Sequence, residues 1–270
     1  MNLQVEEDPL VAPPTARSVR FFFRAQAIHL LFLVAMVPAA AALSSTVGPS
    51  TMVAPSSAGT LPSTGTMADA AGPSGTWLSL TAIQWFWISI GLAVMHQVYV
   101  WISWRLQLGW QVFSRSFGSR DFSIYCAIFF PLLIVRPLSI FAVGWADRGS
   151  LALPDWLATF CGGLLLVPAI ATGYSVAAFF GMDRAAGGDH FRRRYLTMPF
   201  VRRGAFRWTS NAMYTLGFFG LWAIALLLHS QLALVAAIFQ HGYIWAHYLS
   251  TEQPDIELLY GFGSNTRTWT

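Results

Sequence analysis

Six apolar stretches set the limits on what this chain of 270 residues can fold into. Four of them, at about 25–43, 77–104, 122–145 and 151–180, reach the length of roughly 20 apolar residues that a membrane-crossing helix needs. Lipid offers the backbone no hydrogen-bond partners, so a run of this length crosses as a helix. Two further stretches, about 213–229 and 232–249, are short for a crossing. Only the turn His229-Ser230-Gln231 divides them, which predicts an antiparallel helical hairpin. The expected fold class is therefore all-α: a single polytopic membrane domain of about six helices ending in a C-terminal hairpin. Composition agrees, with 55% hydrophobic residues and only 10% charged, against about a quarter in soluble domains.

The charges are gathered between the apolar stretches. Arg17, Arg20 and Arg24 precede the first. Arg105, Arg115 and Arg120 lie between the second and third. Seven arginines lie between the fourth and fifth. Residues 44–76 carry one charge, Asp69, and are rich in Ser, Thr, Pro and Gly, the composition of a flexible loop. The alternation predicts a cytosolic 1–24 tail, cytosolic Arg-rich loops and C-terminus, and a non-cytosolic 44–76 loop. The run Ala39–Ser45 resembles a signal cleavage site, but the polar stretch ahead of it argues for a retained anchor. Cys126 and Cys161 sit in apolar runs and read as small core residues.

The loop at 181–208 sets those seven arginines against Asp183 and Asp189, with aromatic residues interleaved. One reading is the orientation signal alone. The other is a lipid headgroup site, in which Arg192, Arg193, Arg194, Arg202 and Arg203 present planar forks to phosphate oxygens. Gly187 and Gly188 allow close backbone approach to a ligand, or simply turn the chain. Ser210 or Asn211 can cap the fifth helix, whose N-terminus would also favour an anion. Beyond the hairpin, Thr251 or Asp255 can cap a last helix with Pro254 at its start. Alternatively, Glu252 and Asp255 face the Arg-rich loop and hold a cationic cofactor. Arg136, beside Pro137 in mid-helix, is a functional candidate because an intramembrane arginine is costly. The histidine spacings suggest no metal site, and no P-loop, Gly-x-Ser-x-Gly, His-Glu-x-x-His or Cys-x-x-Cys motif occurs.

In order along the chain, Gly188-Asp189-His190-Phe191, Ser210-Asn211-Ala212-Met213-Tyr214 and Glu252-Gln253-Pro254 bracket the hairpin. This segment, about 181–261, resembles the membrane phospholipid methyltransferases, among them the phosphatidylethanolamine N-methyltransferases and, more distantly, the isoprenylcysteine carboxyl methyltransferases. Ala212 stands where the family has proline, Gln253 where it has a second acid, and Gly187-Gly188 where it has Gly-x-Gly. The resemblance implies an S-adenosylmethionine site carried by Gly187, Gly188, Asn211, Tyr214 and Glu252, to which the acidic-tail reading adds Asp255. It implies a phospholipid acceptor taken from the bilayer on the way to phosphatidylcholine, an endoplasmic reticulum membrane and no nucleic-acid partner. His190 and Glu252 are the candidate bases for the acceptor amine. A prenylcysteine carboxyl methyltransferase and a non-catalytic scaffold or channel are the competing expectations. The sequence does not fix the oligomeric state.

Overall fold

The computed structural model describes residues 10, 14–46 and 75–261. Most of the expected 44–76 loop and part of the 1–24 tail lie outside the described residues. A short helix, Val19–Phe22, leads through Ala25 (φ 64°) into α1, Ala27–Ser45. A two-residue hairpin, Thr76–Trp77 against Leu80–Thr81, precedes α2, Ala82–Trp110. Thr81 and Gln84 form a capping box that starts α2, and Gln111 in the left-handed region ends it. After the short helix Val112–Phe117 come α3, Asp121–Ala146, and α4, Asp155–Ser175. The hairpin is α5, Phe219–Leu227, and α6, Gln231–His247, and the last described element is α7, Gln253–Tyr260.

The all-α expectation holds. Four helical stretches, Val19–Ser45, Ala82–Trp110, Val112–Ala146 and Asp155–Phe180, are long and apolar enough to cross a membrane, and the chain is an integral membrane protein. Helix α2 packs along α3, α4 along α5, and α6 fills the space between α1, α2 and α3. Phe86, Ile90, Ile140, Val143, Leu232, Phe239 and Tyr243 form the largest core. Trp156, Phe160, Leu164, Val167 and Ile170 stay exposed along one stripe of α4, a surface suited to lipid rather than water.

The depth reached by the short hairpin follows from its turn. Leu151 donates to the His229 carbonyl at 3.0 Å. Asp147 Oδ2, at the end of α3, accepts from Ser230 Oγ (2.7 Å), the Leu232 amide (2.9 Å) and Ser150 Oγ (2.5 Å). The hairpin therefore runs the full depth that α3 and α4 run. Gly144 and Gly162 let it approach closely, since a Cβ on either would fall within 3 Å of Leu228 or Leu227.

Three π-helical turns interrupt the helices: Val176–Phe180, Met213–Gly217 and Tyr248–Glu252. All three lie toward the Arg-rich end. Such turns are rare and are frequent at functional sites. The last two carry Tyr214 and Glu252.

Candidate active site

The Arg-rich end of the bundle holds a buried chain of charges. Arg105 projects from the last turns of α2, with a side chain 0% exposed, and its Nε lies 3.0 Å from Asp255 Oδ1. The other Asp255 oxygen lies 3.2 Å from His190 Nε2, and His190 Nδ1 lies 2.9 Å from Asp189 Oδ1. Tyr260 donates to Asp189 at 3.1 Å. The imidazole of His190 stacks on the indole of Trp104 with centroids 4.0 Å apart. Burial opposes a charge on His190, but Asp189 and Asp255 on either side outweigh it and raise the group to about 9. Asp189 is drawn the other way: burial disfavours its charge, and His190, Tyr260 and Arg184 more than compensate and lower it.

Glu252 breaks this pattern. It accepts a hydrogen bond from the Tyr214 hydroxyl across the two π-turns, and no ion pair to it occurs among the described residues. Burial, helped by Asp189 and Asp255 and opposed by Tyr214 and His190, pushes its carboxyl up to about 7. Tyr214 also packs against Trp245 and Tyr248, with centroids 6.2 and 6.0 Å away. Two acids, Asp255 and Asp189, are thus matched by Arg105 and His190, and a third, Glu252, has only a neutral hydrogen-bond partner.

The other expected site residues are distributed as follows. Gly187 has φ +82°, and the place of its missing Cβ lies 2.3 Å from the Trp104 ring. A Cβ on Gly188 would lie 2.7 Å from Tyr195 and 2.9 Å from the Asp183 carbonyl. These glycines make room for protein rings, so close packing explains them without a ligand. The fifth helix starts from Ala212 with no side-chain cap, so neither Ser210 nor Asn211 has the expected capping role. The backbone carbonyl of Asn211 instead accepts from the Tyr214 and Thr215 amides. Pro254 does begin α7, but Thr251 and Asp255 do not cap it. Both oxygens of Asp255 face protein cations.

The arginines divide into two sets. Arg192 forks Asp121 at 2.5 and 3.0 Å, so a carboxylate occupies the geometry expected for phosphate. Arg194 bonds the Tyr195 hydroxyl at 2.9 Å, and Arg203 lies 5.0 Å over Phe179. Arg193 and Arg202 are exposed. Arg105, counted with the loop charges that orient the chain, is instead an internal cation inside α2. Asp189, Trp104 and Arg105 were not expected in the site. Asp189 had a signal, since it stands inside the Gly-Asp-His-Phe motif.

A family model described as phospholipid methyltransferase matches residues 157–262. The matched stretch contains His190, Tyr214 and Glu252, the same part of this integral membrane protein whose motifs carry the resemblance. The phosphatidylethanolamine N-methyltransferase of Scheffersomyces stipitis is 35% identical over 80 residues, which cover 29% of this chain and 9% of that relative's length. No solved structure matches. Trp104, Arg105, Asp121 and Arg136 all precede the matched segment.

Proposed function

We propose that this protein transfers methyl groups from S-adenosylmethionine to the amine of phosphatidylethanolamine or its mono- and dimethylated forms, toward phosphatidylcholine. The observation that carries the reading is Glu252, a half-buried acid with no ion pair among the described residues, in the stretch matched by the phospholipid methyltransferase model. When bound, S-adenosylmethionine supplies a methyl on a positively charged sulfur. The acceptor is also cationic until it loses a proton. The sulfonium and the proton-bearing amine both arrive where the new bond forms, so an unmatched acid there attracts the cationic donor and can receive the proton that the ammonium loses before attack. The residues present fit the group in this respect, and the face of Tyr214 suits a methylated cation.

Glu252, poised near neutrality, takes the proton that the acceptor ammonium must lose before its nitrogen can attack. His190 is held protonated between two acids and is a poor base. It keeps Asp255 and Asp189 in place and stacks on Trp104. Tyr214 fixes the orientation of the Glu252 carboxyl. In-line displacement needs little further chemistry from the protein, so positioning supplies most of the rate. We place the Arg-rich end in the cytosol, where a soluble methyl donor reaches Glu252, with the lipid entering sideways from the bilayer and the membrane being that of the endoplasmic reticulum.

Membranes containing the protein are incubated with methyl-labelled S-adenosylmethionine, and the labelled products are resolved. Label in mono-, di- and trimethylated phosphatidylethanolamine is the expected result. Label released as methanol by mild base would point to a carboxyl ester and a prenylcysteine acceptor. No label in any lipid or protein would leave a non-catalytic membrane protein.

A further inference from the structure

Arg136 sits inside the bundle, 3% exposed, midway along α3. Its Nε donates to Gln240 Oε1 at 3.0 Å, its Nη1 lies 3.3 Å from His96 Nδ1, and its guanidinium carbon lies 5.2 Å from the centre of the Phe218 ring. Each of these partners is an amide, an imidazole or an aromatic face. No acid pairs with Arg136 among the described residues, and no described residue accepts from its Nη2. A guanidinium cannot shed its proton, so the charge remains in the membrane interior and is costly there without a counter-charge.

The surroundings hold more unused polar groups. His96 Nε2 and the Tyr243 hydroxyl are buried and have no described hydrogen-bond partner. Tyr243 follows Gln240 by three residues, on the same face of α6. Gln240 is itself anchored, donating to Ser89 Oγ at 2.9 Å, and Ser139 donates to the same Ser89 oxygen at 3.0 Å. The support behind Arg136 is therefore built, while the outer edge of its fork is left free. A free guanidinium edge beside a hydroxyl and an imidazole matches an anion with several oxygens, and a phosphate ester above all.

The position of the site relative to Glu252 narrows the ligand. Tyr214, which bonds Glu252, precedes Phe218 by four residues, a rise of about 6 Å. The residues that touch the unmatched cation and the unmatched acid, Phe218 and Tyr214, thus stand about one helical turn apart. A zwitterion with a phosphate and an ammonium at its two ends presents the complementary pair.

We propose that Arg136, supported by Gln240 and His96, binds the phosphodiester of the acceptor lipid and so orients its amine toward Glu252. The lipid assignment rests on the methyltransferase reading; the phosphate chemistry of the site does not.

The test measures equilibrium binding in dodecyl maltoside micelles, without methyl transfer. The probes are dihexanoyl phosphatidylethanolamine, dihexanoylglycerol, which lacks the phosphate, and inorganic phosphate. The parent protein is expected to prefer the phospholipid over dihexanoylglycerol by at least tenfold. Arg136→Gln is expected to abolish that preference, and Arg136→Lys to retain only part of it, because lysine keeps the charge without the fork. Equal binding of the two lipids by the parent overturns the proposal without reference to any variant, so a misfolded Arg136→Gln protein cannot shelter it. An undiminished preference in a folded Arg136→Gln protein overturns it as well. Inorganic phosphate binding as tightly as the phospholipid would keep the anion site and overturn the lipid assignment. S-adenosylhomocysteine binding is measured on the same samples. Its absence in the parent would sink the methyltransferase reading while the lipid comparison still decides the role of Arg136.

Discussion

Asp147 and Glu252 are acids at opposite ends of the same hairpin, and their surroundings differ in kind. One oxygen of Asp147 gathers two hydroxyls and an amide and ties the hairpin turn to the end of α3. Glu252 has one hydroxyl and a carboxyl pushed up to about 7. An acid whose oxygen accepts several hydrogen bonds ties separate segments of chain together. An acid left short of such bonds keeps its affinity for a proton or a cation, which is useful only where a proton or a cation arrives. The same contrast separates Asp255, shared between Arg105 and His190, from Glu252 three residues earlier.

The strongest way to break this comparison is Glu252→Gln. Methyl transfer should fall by about 2–3 kcal/mol in transition-state terms, roughly 30- to 150-fold, for the loss of one charge-assisted contact. Expression and thermal midpoint should stay at parent values or rise, because a half-buried acid with no ion pair among the described residues is removed. Near-parent turnover in this variant would take Glu252 out of the site. Asp147→Ala should behave in the opposite way. Its loss strips the partner from Ser230, Ser150 and the Leu232 amide, at a cost of about 2 kcal/mol in stability. Turnover per folded molecule should stay close to the parent in activity assays normalised to folded protein, and a specific activity collapsing before the fold does would undo the contrast.

The pH dependence of stability is smaller within the ordinary range. The folded His190 titrates near 9, above the 6.5 of a free imidazole. Its contribution is fully present below pH 6.5 and is lost as pH rises through about 9. Thermal midpoints in detergent should therefore decline across that window, and His190→Phe should flatten the decline. A profile identical in both proteins would show that the flanking acids do not hold the imidazole charged. The smallest effect belongs to the exposed arginines. Changing Arg193, Arg202 and Arg203 together to lysine should alter stability by no more than about 0.5 kcal/mol. Turnover should fall only if these side chains grip lipid phosphate, whereas Arg192→Lys should destabilise by weakening the fork to Asp121.

The sequence made the helices legible because length and apolarity are local properties. It also singled out Glu252 and Tyr214, since both stand in short motifs at the ends of the hairpin. It misjudged Arg105 and Arg192, because counting charges between apolar runs says nothing of their partners. Asp255 lies 150 positions from Arg105, and Asp121 lies 71 from Arg192. Gly187 was legible as a place of close approach, but the approaching group is Trp104, which arrives from a different helix. The π-turns left no trace in the sequence reading at all, because they come from a one-residue mismatch in packing rather than from composition.

The hairpin's first arm, Met213–Leu227, runs from Tyr214, which bonds Glu252, to the turn docked on Asp147, and it is the short one, with 15 residues. At 1.5 Å per residue it rises about 22 Å, less than the roughly 30 Å of a typical hydrocarbon core. The outer helices are long enough to tilt or protrude, but this inner one cannot stretch. A thick bilayer must therefore thin around the hairpin or draw the charged cap into its hydrocarbon edge, at a cost that grows with each ångström of mismatch. Acyl-chain length thereby becomes a variable of the proposed methyl transfer, with vesicles of shorter-chained lipid favoured over those of long saturated chains at equal headgroup composition.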